Sequence, residues 1–113
     1  MPGATPLPGQ PVRGSMTGRP LMAALDLLGR RWALRVLWEL RDGPLGAREL
    51  RRRCNSMSSS VLYERLRELT TAGLIVQNDD QYGLTEHGRS LGTAISALDA
   101  WAQEWAPSAG DHE

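Results

Sequence analysis

Lysine and phenylalanine are absent from the 113 residues, cysteine occurs once, and thirteen arginines cancel thirteen acids. No fold demands the first two absences, which read as coding bias. A single cysteine excludes an internal disulfide and cannot by itself build a zinc site. No run approaches the ~20 apolar residues that a membrane-spanning helix needs. The first residues lack the charged and apolar regions of a secretory signal, so the expected compartment is the cytoplasm. There is no Ser/His/acid set, no cysteine–histidine pair at suggestive spacing and no phosphate-cradling glycine loop, which argues against an enzyme. Neither Cys54 nor His87 has a partner at ligand spacing, so no metal and no cofactor is expected.

What is present is enough for one domain with a single core: 41% of the residues are apolar. The zero net charge hides an asymmetry. Residues 30–67 hold ten arginines against four acids, a surplus of six, whereas residues 68–113 hold one arginine against eight acids. A basic middle and an acidic end suggest one face for phosphates and another held away from them.

The basic middle contains the stretch that organises the chain, residues 47–74, ARELRRRCNSMSSSVLYERLRELTTAGL. It predicts two helices joined by a tight polar turn. Leu50 and Cys54 share one face of the first. Ser58 is a fair N-cap for the second, where Leu62, Leu66 and Leu69 recur at helical spacing before Gly73 stops it. Two short amphipathic helices so joined predict a helix-turn-helix, whose second helix enters the major groove of double-stranded DNA.

Residues 1–19, with four prolines and four glycines, predict a flexible tail, and Met16 is an alternative start. Pro20 opens a helix with Leu21, Leu25 and Leu28 on one stripe, and Gly29 closes it. A second helix is expected from Arg30 or Arg31, with Trp32, Val36, Leu37 and Leu40 apolar, until residues 42–44, Asp-Gly-Pro, stop it. After Gly73, residues 74–84 predict a small hairpin with strands of about four and three residues. Thr85 caps a last helix that carries Leu91, Ile95, Leu98, Trp101 and Trp105 near a heptad seam. That helix should end by Pro107, leaving a folded domain over 20–106 and a frayed end over 107–113. The expected fold is mostly α with a small β-hairpin, a winged helix-turn-helix with an added helix at each end.

Four segments, ALDLLGRRW (24–32), DGPLGAREL (42–50), VLYERLRELTTAGL (61–74) and LTEHGR (84–89), stand in the order and spacing of the HxlR-type transcriptional regulators. The chain resembles that family over roughly residues 19–105. The resemblance implies a homodimeric bacterial regulator on a two-fold operator, with the terminal helices forming the dimer contact. Three departures stand out. Members usually carry a sensor cysteine thirteen residues before the tryptophan of a GGKW-like motif, a place held here by Arg19. The usual aromatic residue before the Glu-Leu pair is Ala47. The wing is short and carries Asp79 and Asp80 instead of basic residues, which puts its contact with the minor groove in doubt.

Each candidate residue has a plainer reading beside the functional one. Arg48, Arg51 and Arg52 are either a solvated helix face or phosphate contacts, and their place before a recognition helix favours phosphates. Ser59, Ser60, Tyr63 and Arg67 lie opposite the leucine stripe and are the base-edge candidates, Arg67 for guanine and Tyr63 for a thymine methyl. Alternatively Arg67 only pairs with Glu64 or Glu68. Arg65, one position before a core leucine, is a phosphate candidate or a structural residue. Cys54 reads as a buried, inert thiol and His87 as an exposed imidazole. Leu21, Leu25, Leu91, Ile95, Leu98, Trp101 and Trp105 are the dimer-seam candidates, and the tryptophans could instead belong to the monomer core or line a pocket for an effector, whose existence the sequence leaves open. The leading function is a sequence-specific DNA-binding transcriptional regulator acting as a homodimer. The competing one is a winged-helix module that binds protein partners.

Overall fold

The structure is a computed structural model that describes residues 5–9, 19–55 and 57–110. Helix α1 (Pro20–Leu28) opens on proline, whose missing N–H costs nothing in a first turn. It buries Ala23 and Leu27, while Leu21 and Leu25 of the predicted stripe face water. Helix α2 (Ala33–Glu39) starts later than the sequence suggests, because Trp32 sits at its N-cap with φ 76°, a left-handed conformation that interrupts the helix. Val36, Leu37 and Leu40 are buried, and Gly43, at φ +146°, makes the turn that ends the segment.

Strand β1 (Leu45–Gly46) was not expected, because two residues carry no readable alternation. It leads directly into α3 (Ala47–Arg53), which buries Leu50 with Cys54 just beyond its end. Helix α4 (Ser59–Thr71) is capped as anticipated: the Ser58 hydroxyl accepts from the Val61 N–H at 3.2 Å. Its far end is closed by Gly73 at φ +80°, with the Leu74 N–H bonded to the Leu69 carbonyl and the Gly73 N–H to that of Thr70.

The wing is β2 (Ile75–Asn78) and β3 (Gln81–Leu84), four residues each, turning through Asp79 and Asp80 with Asn78 opposite Gln81. Leu45 pairs with Tyr82 and Gly46 with Gln81, so the sheet has three antiparallel strands in the order β1-β3-β2. Thr85 then starts α5 (Glu86–Gly110). Its hydroxyl accepts from the Gly88 N–H and donates to the Gly73 carbonyl at 2.6 Å, which pins the start of α5 to the end of α4.

Two expectations need correction here. Helix α5 does not end by Pro107 but continues to Gly110. Proline holds φ near the helical value, and the bond it forfeits lies near a helix end. The tail reading fails over residues 5–9: Pro6 is buried and Leu7 half-buried, in an apolar groove also lined by Pro20, Ala23, Leu27 and Leu91. Residues 1–4 and 10–18 of the predicted tail and the last three residues of the predicted frayed end, 111–113, lie outside the described residues.

One core joins the elements: Leu27, Val36, Leu37, Leu40, Leu50, Cys54, Met57, Leu62, Leu66, Leu69, Ile75 and Tyr82. Leu91 and Ile95 of α5 pack on its edge. Beyond Ile95, only Ala102 up to residue 106 is even half-buried.

Two glycines of α5, four residues apart, should respond oppositely to the same change. A Cβ at Gly88 would stand 2.1 Å from the Leu74 carbonyl oxygen, whereas nothing lies within 4 Å at Gly92. Gly88→Ala is expected to cost about 1–3 kcal/mol through forced backbone movement. Gly92→Ala is expected to gain about 0.5–1 kcal/mol from the glycine's lost freedom. Urea unfolding midpoints of the two variants, at unchanged slope, test the pair.

Candidate nucleic-acid interface

Burial of the leucine stripe of α4 forces the other side of that helix outward. Ser59, Ser60, Tyr63 and Arg67 are all exposed there, Tyr63 to 55%. Tyr63 and Arg67, four apart, are neighbours on the helix surface. Arg48, Arg51 and Arg52 of α3 border an open groove with Ser59 and Tyr63 of α4. The four base-edge candidates and three of the four phosphate candidates therefore share one surface.

These arginines are not equivalent. Arg48 and Arg67 have no hydrogen bond or ion pair among the described residues. The pairing of Arg67 with Glu64 or Glu68 does not occur: Glu68 is held by Arg30 and Arg65, and Glu64 lies 3.9 Å from Arg65. Arg51 donates from Nε to the Met57 carbonyl at 2.7 Å, bracing the turn between α3 and α4. Arg52 grips Glu49 with two bonds, at 2.8 and 2.5 Å, and Arg53 adds a third at 3.0 Å. The guanidiniums of Arg52 and Arg53 hold the Glu49 carboxyl down at about 2.

Arg65 belongs elsewhere. Its side chain is only 15% exposed, with Nε donating to the Arg31 carbonyl at 2.7 Å and Nη1 to Glu68 at 2.6 Å. Its donors are committed inward, so the structural alternative fits it better than phosphate contact. Sequence reasoning missed the other half of this assembly. Glu68 is 1% exposed, buried between Leu66 and Leu69, and also receives Arg30. The i, i+3 spacing of Arg65 and Glu68 was a signal, but surface pairs have the same spacing.

At the tip of the wing Asp79 and Asp80 are both exposed. Cys54 is fully buried, and burial, opposed by Arg35, raises its thiol pKa above the ordinary value. His87 is exposed, and among the described residues no three His, Cys, Asp or Glu side chains gather into a metal-holding group.

The seam candidates divide. Leu91 and Ile95 are half-buried against the core of their own chain. Leu21, Leu25, Leu98, Trp101 and Trp105 are 50 to 67% exposed, and the two indoles stack with centroids 5.4 Å apart.

A sequence model of the HxlR-like helix-turn-helix family matches residues 27–109. The HTH-type transcriptional regulator YodB of Bacillus subtilis is 30% identical over 90 residues, 74% of this chain and 80% of that protein. An uncharacterized HTH-type transcriptional regulator of Methanothermobacter thermautotrophicus is 36% identical over 97 residues, 80% of this chain and 71% of its own. Among solved structures, quinone-bound YodB from B. subtilis superposes with a TM-score of 0.70 at 32% identity, covering 74% of this chain and 96% of that one.

The buried thiol generates a pH dependence. Because the folded pKa of Cys54 is raised, its stabilising contribution is complete below the unfolded thiol's value, about 8.5, and is lost as pH rises through the folded value. Tyr82, also raised chiefly by burial, extends the same loss to higher pH. Urea unfolding at pH 7 and pH 10 should show lower stability at pH 10, and Cys54→Ala should reduce the difference. Equal pH dependence in the two proteins would show that the thiol is not the titrating group.

Proposed function

The chain belongs to the HxlR-like helix-turn-helix family, transcriptional regulators of the helix-turn-helix type, and on that footing we propose that it reads double-stranded DNA as a homodimer. One α4 would enter each of two successive major grooves of a two-fold operator. The observation that carries this reading is the pair of guanidiniums, Arg48 and Arg67, that have no partner among the described residues and share one surface with Ser59, Ser60 and Tyr63. An arginine without an acid keeps all five donors for phosphate or for a base edge.

In this reading Arg67 addresses guanine O6 and N7, and Tyr63 packs on a thymine methyl, with the two serines beside them. Arg48 and the unused nitrogens of Arg51 take phosphates. Arg52 joins them by exchanging Glu49 for a phosphate, because an exposed pair holds its partner weakly. Asp79 and Asp80 repel phosphates, so affinity rests on α3 and α4 and not on the wing.

Five large apolar side chains of α1 and α5 lie open, more than solvation of a small monomer explains, and a second copy of the chain is the occupant that fits a two-fold site. No described helix is long and apolar enough to cross a membrane. A regulator of this kind works in the cytoplasm, where the DNA is. Thiol regulation is not part of the reading, since Arg19 holds the sensor's place and Cys54 is enclosed by the core.

Binding titrations on a duplex selected from a random library, at several salt concentrations, test the contacts. Arg67→Ala should cost about 1–3 kcal/mol and relax the preference at one base position. Arg48→Ala should weaken all sequences about equally and shallow the salt slope by about one unit. Absence of any sequence preference in the unaltered protein would return the decision to a protein-binding module.

Assembly is tested separately. Trp101→Asp places a charge among exposed apolar groups that a dimer would bury. The variant should sediment as a monomer and lose most operator affinity. An unaltered chain that is monomeric while bound to its operator would end the dimer part of the proposal.

A further inference from the structure

An alternating chain of charges crosses the domain out of sight of the DNA-facing surface. Asp26 on α1 lies 3.9 Å from Arg30 in the junction between α1 and α2. Arg30 pairs with Glu68 on α4, and Glu68 accepts from Arg65, three residues earlier on the same helix. Arg65 then reaches back to the Arg31 carbonyl at 2.7 Å. The junction is thus held at two consecutive residues, once by a side chain and once by its backbone. It is also the place where Trp32 is forced into a left-handed conformation, one that persists only when its surroundings over-determine it.

We propose that Glu68, with Arg30 and Arg65, is a positioning joint that fixes the rotation of the reading helix α4 relative to α1, and so sets the half-site spacing the dimer accepts. Three observations support it. First, Glu68 is 1% exposed and both its carboxylate oxygens are engaged, one by Arg30 and one by Arg65, so the carboxylate is fixed from both sides. Second, the apolar packing of Leu62, Leu66 and Leu69 is non-directional and tolerates small rotations of α4, whereas a carboxylate held by a different guanidinium on each oxygen does not, because charge-assisted hydrogen bonds are directional. Third, the network begins at Asp26, beside Leu25, on the helix whose exposed leucines we assign to the second copy. The joint therefore links the helix that would meet the partner to the helix that would read bases. The inference rests on the DNA-binding dimer proposed above.

The test is the dependence of affinity on the distance between half-sites. One added base pair moves a half-site by about 3.4 Å and turns it by roughly 34°. A rigidly jointed dimer should lose at least about tenfold in affinity for each added or removed pair, since two reading helices no longer fit together. Glu68→Gln, which keeps size but not charge, should cut that penalty to under about threefold while leaving affinity for random duplex within about twofold. Arg65→Lys keeps the charge but cannot span both the Arg31 carbonyl and Glu68, and should act in the same direction. It decides the matter if Glu68→Gln does not fold. Leu40→Ala serves as the control for lost stability without a lost joint, and should keep the steep penalty. Variants of Glu68 and Arg65 with the full spacing penalty would overturn the inference while leaving the DNA-binding dimer intact. An unaltered protein without specific binding, or indifferent to spacing, would instead remove the reading on which it rests.

Discussion

Leu50, Leu62, Leu66 and Leu69 are withdrawn from water against Val36, Leu37 and Leu40, and this one apolar contact decides which side of α3 and α4 faces water. Each leucine so buried contributes about 1.5–3 kcal/mol, which no surface pair on these helices can match. A helix that commits one stripe to the core has no choice about its other side chains. The exposed set of α4 follows from the period of its leucines, and the basic border of α3 from the position of Leu50. The surface proposed to meet DNA is in this sense the remainder of the core.

The same contact explains why the helices were legible in the sequence and the arginines were not. Periodicity reports which side of a helix faces water, so α3, α4, the Ser58 cap and the Gly73 stop could be read directly. It says nothing about what an arginine finds there. Arg67 finds nothing among the described residues, Arg52 finds Glu49 three residues away, and Arg65 finds a carbonyl 34 residues away. Only the second is local enough to be guessed. Glu68 shows the limit from the other side, since a buried carboxylate looks like a surface one until its partner in α2's approach is in place. Strand β1 escaped because its two residues are recruited by β3 and not by any pattern of their own. The late start of α2 escaped because nothing in Trp32 announces a left-handed backbone. Residues 5–9 escaped because composition describes the freedom of a segment and not the groove that receives it.

Charge is used in two distinct ways within a few ångströms of α4. On the outer side guanidiniums have no acid among the described residues or are given an exposed one, which keeps a positive field available. On the inner side every charge is matched, Glu68 by two arginines and Arg30 by two acids. Removing a single member of a buried set strands its partner in a dry environment, whereas removing one from the outer set leaves its neighbours solvated. The two sets therefore differ in what mutation does to them, even though both are built from the same residue type.

The turn of Asp79 and Asp80 has a consequence unconnected with nucleic acid. Among the described residues strand β2 pairs only with β3, so its other margin is an edge with no strand beside it, next to the exposed Val76. Such a margin is a template for another strand, and two copies of the same wing could zip together into a continuous sheet. Two like charges at the tip make one such approach costly, because pairing two wings in parallel would set acidic tip beside acidic tip. The shortness of the hairpin helps, since few hydrogen bonds could be gained. Two exposed carboxylates at the tip thus suit the wing to staying single in a concentrated solution of its own kind.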